Sequence, residues 1–305
     1  MYSIIIPVYN ERETIRTLYE RVKNVIDNFD DDAEVLIVDD GGSDGSFEEL
    51  KEIHSKDPRF KILSFSRNFG HQVAISAGIE HATGDAVMII DGDLQDPPEV
   101  LPQFIAKWRE GYDVVYAIRT KRKENIFKRA AYAMFYRILN RLSYLDIPLD
   151  SGDFCLMDKR VVVAMRKLPQ RKRFVRGLRT WVGFRQIGLA YERDKRFAGK
   201  PKYTFTRLLG LAYDGIFSIS TTPLRVAVYV GFGLAAVAFL GGLLVMYDKL
   251  VYGVAIAGWS STIVIITFLG GVILSTLGMI GEYVSRIYEE VKSRPLYVVR
   301  EKLGL

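Results

Sequence analysis

Two carboxylates one residue apart form the pattern with the clearest chemistry in this chain. Asp91 and Asp93 follow an apolar run at Val87–Ile90, and Gln95 comes next in the sequence Asp-Gly-Asp-Leu-Gln-Asp-Pro-Pro-Glu. Carboxylate and amide oxygens are ligands that Mg²⁺ or Mn²⁺ accepts. These ions have further coordination positions, which phosphate oxygens of a substrate can fill. The alternative is an ordinary turn rich in Asp, Gly and Pro. Because the whole pattern directly follows a buried strand, we expect a divalent-metal site.

Polar residues also follow two other apolar runs. The first run starts at Ser3 and contains Pro7, and Tyr9 and Glu11 follow its end. The second run ends in the sequence Val-Asp-Asp-Gly, which contains Asp40. A tyrosine ring can stack on a base, and a carboxylate can accept a hydrogen bond from a base N–H or a ribose hydroxyl. The alternative is the start of a helix, where acidic residues are common. Together the two motifs favour a nucleotide pocket.

A third carboxylate, Asp153, lies in the sequence Ser-Gly-Asp-Phe that begins at Ser151. Gly152 permits a tight turn, which would let the Asp153 side chain project into the same site. The alternative is an ordinary loop carboxylate.

Basic residues cluster in three places, and 42 Lys and Arg against 36 Asp and Glu give a formal net charge of +6. Basic runs are typical of solvated faces or nucleic-acid contacts. Because these clusters adjoin two long apolar segments, we expect them to bind phosphate headgroups and anionic lipid, and we expect no nucleic acid. The clusters are Arg119–Arg129, Arg171–Arg176 and Arg196–Tyr203.

Short apolar runs alternate with helical patterns in the first part of the chain. Such runs are typical of parallel strands covered on both faces, so the alternation predicts a doubly wound, Rossmann-like α/β sheet. Ligands of open α/β sheets bind at the carboxyl ends of the strands, and polar residues there predict one nucleotide-type site. The runs are 3–8, 34–38, 62–65, 86–90 and 114–118, and the helical patterns are 13–28, 46–55, 71–81 and 98–110.

Two segments without charged residues, 226–247 and 262–281, are each long enough to cross the roughly 30 Å hydrocarbon core as a helix. The alternative is a buried helix pair in a soluble protein, where such stretches are unusual. Basic residues flank the pair on both outer sides, so the positive-inside rule places both chain ends in the cytoplasm. The single cysteine, Cys155, excludes an intramolecular disulfide framework, and a Cys-rich zinc site is excluded with it.

Taken together, these motifs resemble those of the polyisoprenyl-phosphate glycosyltransferases, the GtrB-like and dolichol-phosphate-mannose-synthase-like members of the family 2 inverting glycosyltransferases. The resemblance covers about residues 3–300 and includes Arg-Pro-Leu-Tyr at 294–297. One departure is Gly42, which displaces Ser43 from the usual Asp-Asp-Gly-Ser pattern, so no role is carried over to Ser43. The other matching motifs are Pro7–Glu11, Val38–Gly41, Ser66–Gly70, Asp91–Glu99 and Ser151–Phe154.

The resemblance implies a GT-A fold with a C-terminal two-helix transmembrane hairpin, and it implies roles for individual residues. The positions expected to bind Mg²⁺ or Mn²⁺ and the diphosphate are Asp91, Asp93 and Gln95. The positions expected to hold the nucleotide sugar are Pro7, Tyr9, Glu11, Asp40 and Asp91. Catalytic roles are expected for Asp153, as the proposed base, and for Asp93. The acceptor phosphate is expected at Arg119, Lys128 and Arg129.

These expectations divide the chain into four parts. Residues 1–200 are expected to form a cytosolic GT-A domain, followed by an amphipathic juxtamembrane segment at 201–224. Residues 225–282 are expected to contain the two transmembrane helices, at about 226–247 and 262–281. Residues 283–305 are expected to form a basic cytosolic tail.

The implied reaction moves a hexose from a nucleotide sugar, with UDP-glucose preferred, to undecaprenyl phosphate or another polyisoprenyl phosphate at the plasma (inner) membrane. Alternative donors are GDP-mannose, UDP-GlcNAc, UDP-galactose and a UDP-arabinose derivative, and a homo-oligomer such as a tetramer is expected. A processive polysaccharide synthase would need a longer membrane channel than two spans, and the Gln-x-x-Arg-Trp motif that would favour it is not present in the sequence. An altered Asp-x-Asp motif would favour a non-catalytic nucleotide-sugar-binding membrane scaffold, but the motif is intact here. A glycoside hydrolase uses paired carboxylates without a diphosphate site.

Overall fold

The computed structural model describes residues 1–119, 151–171, 173–192, 222–252 and 258–305. These residues fall into two compact units. The first contains the described residues up to 192 together with 294–305, and the second contains those from 222 to 293. The C-terminal residues therefore belong to the first unit, although they follow the second along the chain.

One mixed sheet forms the centre of the first unit. Its strands are β1 (Tyr2–Val8), β2 (Ala33–Asp39), β3 (Phe60–Phe65), β4 (Ala86–Ile89), β5 (Val114–Arg119), β6 (Ser151–Asp158), β7 (Gln186–Tyr191) and β8 (Val299–Leu303). Among the described residues the strand order is β7-β5-β6-β4-β1-β2-β3-β8. β1 pairs in parallel with β2 and β4, β2 pairs in parallel with β3, and β5 with β7.

Helices connect the strands of this sheet. They are α1 (Arg12–Ile26), α2 (Ser46–Lys56), α3 (His71–His81), α4 (Leu101–Arg109), α5 (Lys159–Arg166) and α6 (Val175–Trp181), with a 3₁₀ turn at Pro98–Val100 before α4. The predicted strands and helices in the first 119 residues are all present, and their ends agree to within two residues when the 3₁₀ turn is counted with α4. The predicted α/β class is confirmed.

Strand β1 lies in the interior of the sheet, and each of its residues is buried. Ile4 and Ile6 pack with residues of α1 and α2, whereas Ile5 packs with residues of α3. Gly78 of α3 lies so close to β1 that an added Cβ would be 2.2 Å from Ile5 Cγ2. This close packing fixes the position of α3.

The sheet is mixed, and it contains antiparallel strands besides the parallel ones that the apolar runs indicated. β6 runs antiparallel between β4 and β5, and β8 runs antiparallel to β3. The Ser151–Phe154 motif is accordingly the start of a strand and not a tight turn. Its polar first residues hide the strand pattern of the buried apolar residues Phe154–Met157, of which Cys155–Met157 pair with β4.

The segment at 283–305, expected to form a basic cytosolic tail, contains the end of a helix and a strand. A helix continues to Val291, and β8 then adds a strand to the edge of β3. An edge strand exposes unpaired backbone groups, and charged side chains on it are a common way to protect it. The charges of β8, which has the sequence Val-Arg-Glu-Lys-Leu, are therefore compatible with strand structure.

The second unit contains two long helices, α7 (Thr222–Tyr252) and α8 (Trp259–Val291). Both contain stretches apolar and long enough to cross a membrane, at Leu224–Leu244 and Phe268–Val291. Their large apolar side chains are mostly exposed, Phe232 and Leu274 among them. Exposed apolar surface of this extent is typical of a surface covered by lipid or protein.

Candidate active site

The carboxyl ends of β1, β2 and β4 meet at one edge of the sheet. Val8 lies opposite Asp39, and the next residue, Asp40, donates its N–H to the Val8 carbonyl. On the other side of β1, Ile90 donates its N–H to the Ile5 carbonyl, which brings the residues after β4 to the same edge. The three motifs that suggested chemistry are therefore neighbours in the fold.

Short contacts tie the loops of this edge together. Asn10 has a positive φ of 52°, and its side-chain oxygen accepts a hydrogen bond of 2.9 Å from the Ser43 N–H. Gly41 has a φ of 69°, and an added Cβ would lie 2.3 Å from the carbonyl carbon of Arg67. Only glycine tolerates that conformation at so close an approach. The loops after β1, β2 and β3 thus support one another.

Asp40 is buried and holds the loop that follows β3. Its carboxylate accepts hydrogen bonds of 2.7 Å from the Phe69 N–H and 3.0 Å from the Gly70 N–H. Burial raises the pKa of Asp40, and the two backbone N–H donors partly offset this increase. The observed partners of Asp40 are backbone groups, and its expected contact with the nucleotide stays a prediction.

The residues after β1 differ in how far they are open to solvent. Pro7 is buried in the strand, and its carbonyl oxygen lies 3.0 Å from where a Cβ on Gly92 would be. Tyr9 is 39% exposed, which leaves part of its ring open to a flat ligand. Glu11 is half-buried just before α1, where its carbonyl accepts a hydrogen bond from the Thr14 hydroxyl.

The loop after β4 carries the expected metal ligands. Asp91 is partly buried, and its Oδ1 is enclosed without a hydrogen-bond partner. Asp93 accepts a hydrogen bond of 3.1 Å from the Gln95 N–H. Leu94, between them, is buried with a positive φ of 58°, a conformation that is strained for a bulky residue and clusters at functional sites.

These residues fit a divalent cation that is shared with a substrate. Within the described ranges no group of three or more His, Cys, Asp and Glu side chains could hold a metal alone. A magnesium-type ion bound through one or two carboxylates takes its remaining ligands from water and substrate phosphates. The enclosed Oδ1 of Asp91 is an unused acceptor of the required kind.

Asp153 lies beside this loop at the centre of a charged cluster. Arg176 of α6 donates to it from Nε at 2.9 Å and from Nη2 at 3.3 Å. Gln72 donates to it from Nε2 at 2.9 Å, while Gln72 Oε1 accepts from the Val175 N–H. His71 Nε2 lies 3.5 Å from both Asp153 Oδ2 and Asp91 Oδ1. Helices α3 and α6 thus position one carboxylate from two sides.

The two acids next to His71 have opposite pKa shifts. Burial raises the pKa of Asp91 to about 6, against the influence of His71. Burial alone would also raise the pKa of Asp153, but Arg176 and His71 outweigh it and hold that pKa well below its usual range. Burial alone would lower the pKa of His71, and the two carboxylates together raise it. Asp153 is therefore anionic at neutral pH.

A family model described as Glycosyl transferase family 2 matches residues 3–165 of the chain. The chain belongs to this family. An uncharacterized glycosyltransferase of Bacillus subtilis, YkcC, is 50% identical over 305 residues, which are 100% of this chain and 94% of the relative. The SfII prophage-derived bactoprenol glucosyl transferase of Shigella flexneri is 41% identical over 300 residues, 98% of this chain and 97% of that protein.

The similarity of this chain to a solved structure identifies its fold. Glucosyl-3-phosphoglycerate synthase from Mycobacterium tuberculosis, solved with Mn²⁺, UDP and phosphoglyceric acid, matches with a TM-score of 0.50. The match is 18% identical and covers 74% of this chain and 78% of that chain. The protein is therefore a glycosyltransferase with a GT-A fold, and the resemblance drawn from its motifs is confirmed at the level of the family.

Within this glycosyltransferase the expected site residues have different outcomes. Tyr9, Asp40, Asp91, Asp93 and Asp153 lie at one edge of the sheet. Arg119 is the last residue of β5, and Lys128 and Arg129 lie outside the described residues. Their expected roles in binding the acceptor phosphate stay predictions.

Three residues of the cluster were missed from the sequence: His71, Gln72 and Arg176. His71 and Gln72 directly follow the Ser66–Gly70 motif, so their position at a helix start after a strand end was an available signal. Arg176 was grouped with basic residues expected to bind phosphate headgroups, but it pairs with Asp153. No periodicity in the sequence indicates that pairing, because it depends on how α6 packs on the sheet.

Proposed function

We propose that this glycosyltransferase is a membrane-bound, inverting enzyme that moves a hexose from a nucleotide sugar to a polyisoprenyl phosphate. UDP-glucose and undecaprenyl phosphate are the preferred donor and acceptor. The observation that carries the proposal is the cluster of Asp91, His71, Asp153 and Arg176 at the edge where the β1, β2 and β4 loops meet. It is supported by relatives named bactoprenol glucosyl transferase that match almost the full chain.

The donor side of the proposed site is formed by the loops after β1, β2 and β4. Tyr9 offers a partly exposed ring to the base. Asp91 and Asp93, with Gln95, would hold Mg²⁺ or Mn²⁺, which neutralises the charge that develops on the leaving diphosphate. A solved protein with the same fold holds Mn²⁺ together with UDP, which supports a divalent ion in this proposal.

Asp153 would act on the acceptor side as an anionic positioning group. A phosphate monoester has a second pKa near 6, so the attacking oxygen is already largely ionised at neutral pH. Asp153 is held ionised by Arg176 and is a weak proton acceptor. We therefore assign it to the placement of the acceptor and of the sugar, where it stabilises positive charge at the anomeric carbon during displacement.

The two apolar helices fit an acceptor that is anchored in the membrane. A polyprenyl chain stays in the bilayer, whereas a nucleotide sugar is strongly hydrophilic, so transfer has to occur at the membrane surface. Helices α7 and α8 each contain a stretch long enough to span the membrane. We propose that both chain ends and the catalytic unit face the cytoplasm, and that the enzyme assembles as a homo-oligomer.

The decisive experiment is transfer from radiolabelled nucleotide sugars to undecaprenyl phosphate by the purified protein in detergent. The donors are UDP-glucose, UDP-galactose, UDP-GlcNAc, GDP-mannose and a UDP-arabinose derivative, each with Mn²⁺ and with EDTA. We expect metal-dependent labelling of the lipid, greatest with UDP-glucose. Asp93→Asn should abolish labelling, whereas Glu110→Gln, a change of an exposed carboxylate in an ion pair with Lys107, should not.

Other outcomes would replace parts of this proposal. Labelling by a different donor would correct the sugar and leave the reaction class intact. Binding of a nucleotide sugar with no lipid labelling from any donor would favour the non-catalytic scaffold, or a different acceptor.

A further inference from the structure

Strand β8 extends the sheet at the edge of β3, after the chain has passed through the apolar hairpin. Its backbone runs antiparallel to β3, with Val299 opposite Phe65. Just before the strand, Tyr297 stacks on Phe65 with ring centroids 4.8 Å apart and donates its hydroxyl to Glu80. The C-terminal segment is therefore packed into the catalytic unit.

Arg300 of β8 reaches the end of β2, two strands away. Its Nη2 donates to the Ser64 hydroxyl at 2.9 Å and lies 3.6 Å from Asp39 Oδ2. The guanidinium is also placed over the Phe47 ring, 4.5 Å from its centroid. Ser64 in turn donates its hydroxyl to Asp39 Oδ2 at 2.7 Å. One oxygen of Asp39 thus has both a hydroxyl donor and a nearby cation.

The other oxygen of Asp39 holds the loop after β2. Asp39 Oδ1 accepts a hydrogen bond of 3.0 Å from the Gly42 N–H. Gly42 lies directly against the loop after β1, since an added Cβ would be 3.1 Å from Asn10 Oδ1. Asp39 therefore connects Arg300 to the two loops that form the donor side of the site.

The buried carboxylate of Asp39 needs a cation beside it. Asp39 is fully buried, and an ionised carboxylate without compensation is costly in such a position. Asp40, the next residue, is also buried and acidic, which adds repulsion. Arg300 is the cationic partner that the described residues provide for Asp39.

We infer that Arg300 is a positioning residue for the donor nucleotide: it fixes Asp39 and Ser64, and through Asp39 it fixes the Gly42 loop beside Tyr9. The inference rests on the proposed function, because it assigns that loop to the donor. It gives the C-terminal strand a role in the site. Loss of Arg300 weakens binding of a nucleoside diphosphate and leaves the affinity for the acceptor unchanged.

The same strand offers a matched control. Glu301 forms an ion pair of 2.9 Å with Lys51, and both side chains are about two-fifths exposed. This pair joins β8 to α2 and has no contact with Asp39 or its loop among the described interactions. Glu301→Gln therefore removes one charged contact of β8 and keeps the connection through Arg300.

The experiment measures the dissociation constant of UDP with Mn²⁺, and of GDP in parallel, for the full-length protein in detergent. The variants are Arg300→Met, Glu301→Gln, Asp39→Asn and the double variant Arg300→Met with Asp39→Asn. We expect R300M to raise the dissociation constant about tenfold, the cost of about one charged hydrogen bond, and E301Q to leave it within about twofold. In the D39N background, R300M should have little further effect, because the two residues act through one interaction.

Three results would overturn the inference: an unchanged dissociation constant for R300M, an equal loss for E301Q, or additive effects of R300M and D39N. Thermal unfolding of each variant identifies a folding defect. If R300M does not fold, Arg300→Gln, which can still donate to Ser64 without a charge, is judged by the same criteria. Wild-type protein that binds neither nucleotide contradicts the proposed function as well, whereas equal binding by wild type and R300M contradicts only the role of Arg300.

Discussion

Asp153 is surrounded by groups that stabilise its negative charge. Arg176 donates two hydrogen bonds to it, Gln72 donates one, and His71 is nearby. The resemblance to a known family suggested a catalytic base at this position. The pKa of Asp153 is held well below its usual range, so it takes up a proton from a phosphate only with difficulty. At the scale of the single residue, geometry favours positioning over proton transfer.

Asp153→Asn tests this assignment through its pH profile. We expect kcat to fall about 100-fold, as for the loss of a group that stabilises transition-state charge, by the same factor between about pH 6 and 9. The folded pKa lies below the unfolded one, so the stability that ionised Asp153 contributes is present above about pH 4 and is lost below it. A loss confined to pH values below about 6, where the acceptor carries a proton, would show that Asp153 removes it.

Arg176 and Arg179 lie three residues apart on α6 and should respond oppositely to the same substitution. Arg176 pairs with buried Asp153, so Arg176→Met removes the main cation beside that charge, leaves it to Gln72 and His71, and should destabilise by about 3 kcal/mol. Arg179 is fully buried, its guanidinium lies over the Tyr116 ring at 5.2 Å from the centroid, and none of its nitrogens has a hydrogen-bond partner within the described structure. An aromatic face offsets only part of the cost of a buried charge, so Arg179→Met should stabilise by about 1 kcal/mol. Thermal unfolding in detergent measures both, and a lower melting temperature for R179M would contradict the argument.

At the scale of elements, the part of the sheet that sequence patterns predict is the part buried on both faces. β1 to β4 are short and mostly apolar, which is the composition of strands that helices cover on both faces. β6 begins with Ser-Gly-Asp and β8 carries three charges in five residues, so neither has that signature. Both strands are specified by pairing with distant residues, such as Leu303 with Ile62. A local pattern does not contain that information.

The same distinction applies to the candidate site. Tyr9, Asp91 and Asp93 could be found from the sequence because they directly follow predicted strands, and strand ends are where α/β sheets bind ligands. Arg176 could not, because its contact with Asp153 joins a short helix to a strand that the sequence did not predict. Candidates that directly follow a predicted strand were named from the sequence, whereas Arg176, which is placed by tertiary packing, was not.

Helix α3 should be sensitive to an added methyl group at Gly78. A Cβ there would be 2.2 Å from Ile5 Cγ2, so Gly78→Ala forces α3 away from β1 and should cost about 1–3 kcal/mol of stability. His71 and Gln72 at the start of α3 would move with it, and kcat should also fall. Ile5→Ala makes room, so G78A should cost less in an I5A background when unfolding is measured. Additive costs would show that the two residues do not share this contact.

At the scale of the whole molecule, an apolar hairpin interrupts the sequence of one compact unit. The first unit resumes at residue 294, after both long helices, and adds its last strand there. In the proposed topology, two spans would return the chain to the side of the membrane from which it started. The proposed topology therefore agrees with a C-terminal strand that pairs with β3, because both must lie on the same side.

Cysteine labelling checks this topology directly, because the native chain provides almost no background. Cys155 is its one cysteine and is fully buried, so it should not react with maleimides in the folded protein. Ala255→Cys lies between the two apolar segments and should react with a membrane-impermeant maleimide in intact cells. Leu305→Cys, at an exposed residue of the C-terminus, should react only after the membrane is permeabilised. Labelling of L305C in intact cells, or protection of A255C there, would show that the hairpin is not inserted as proposed. Both variants keep the charges that flank the spans, so neither substitution changes the orientation it reports.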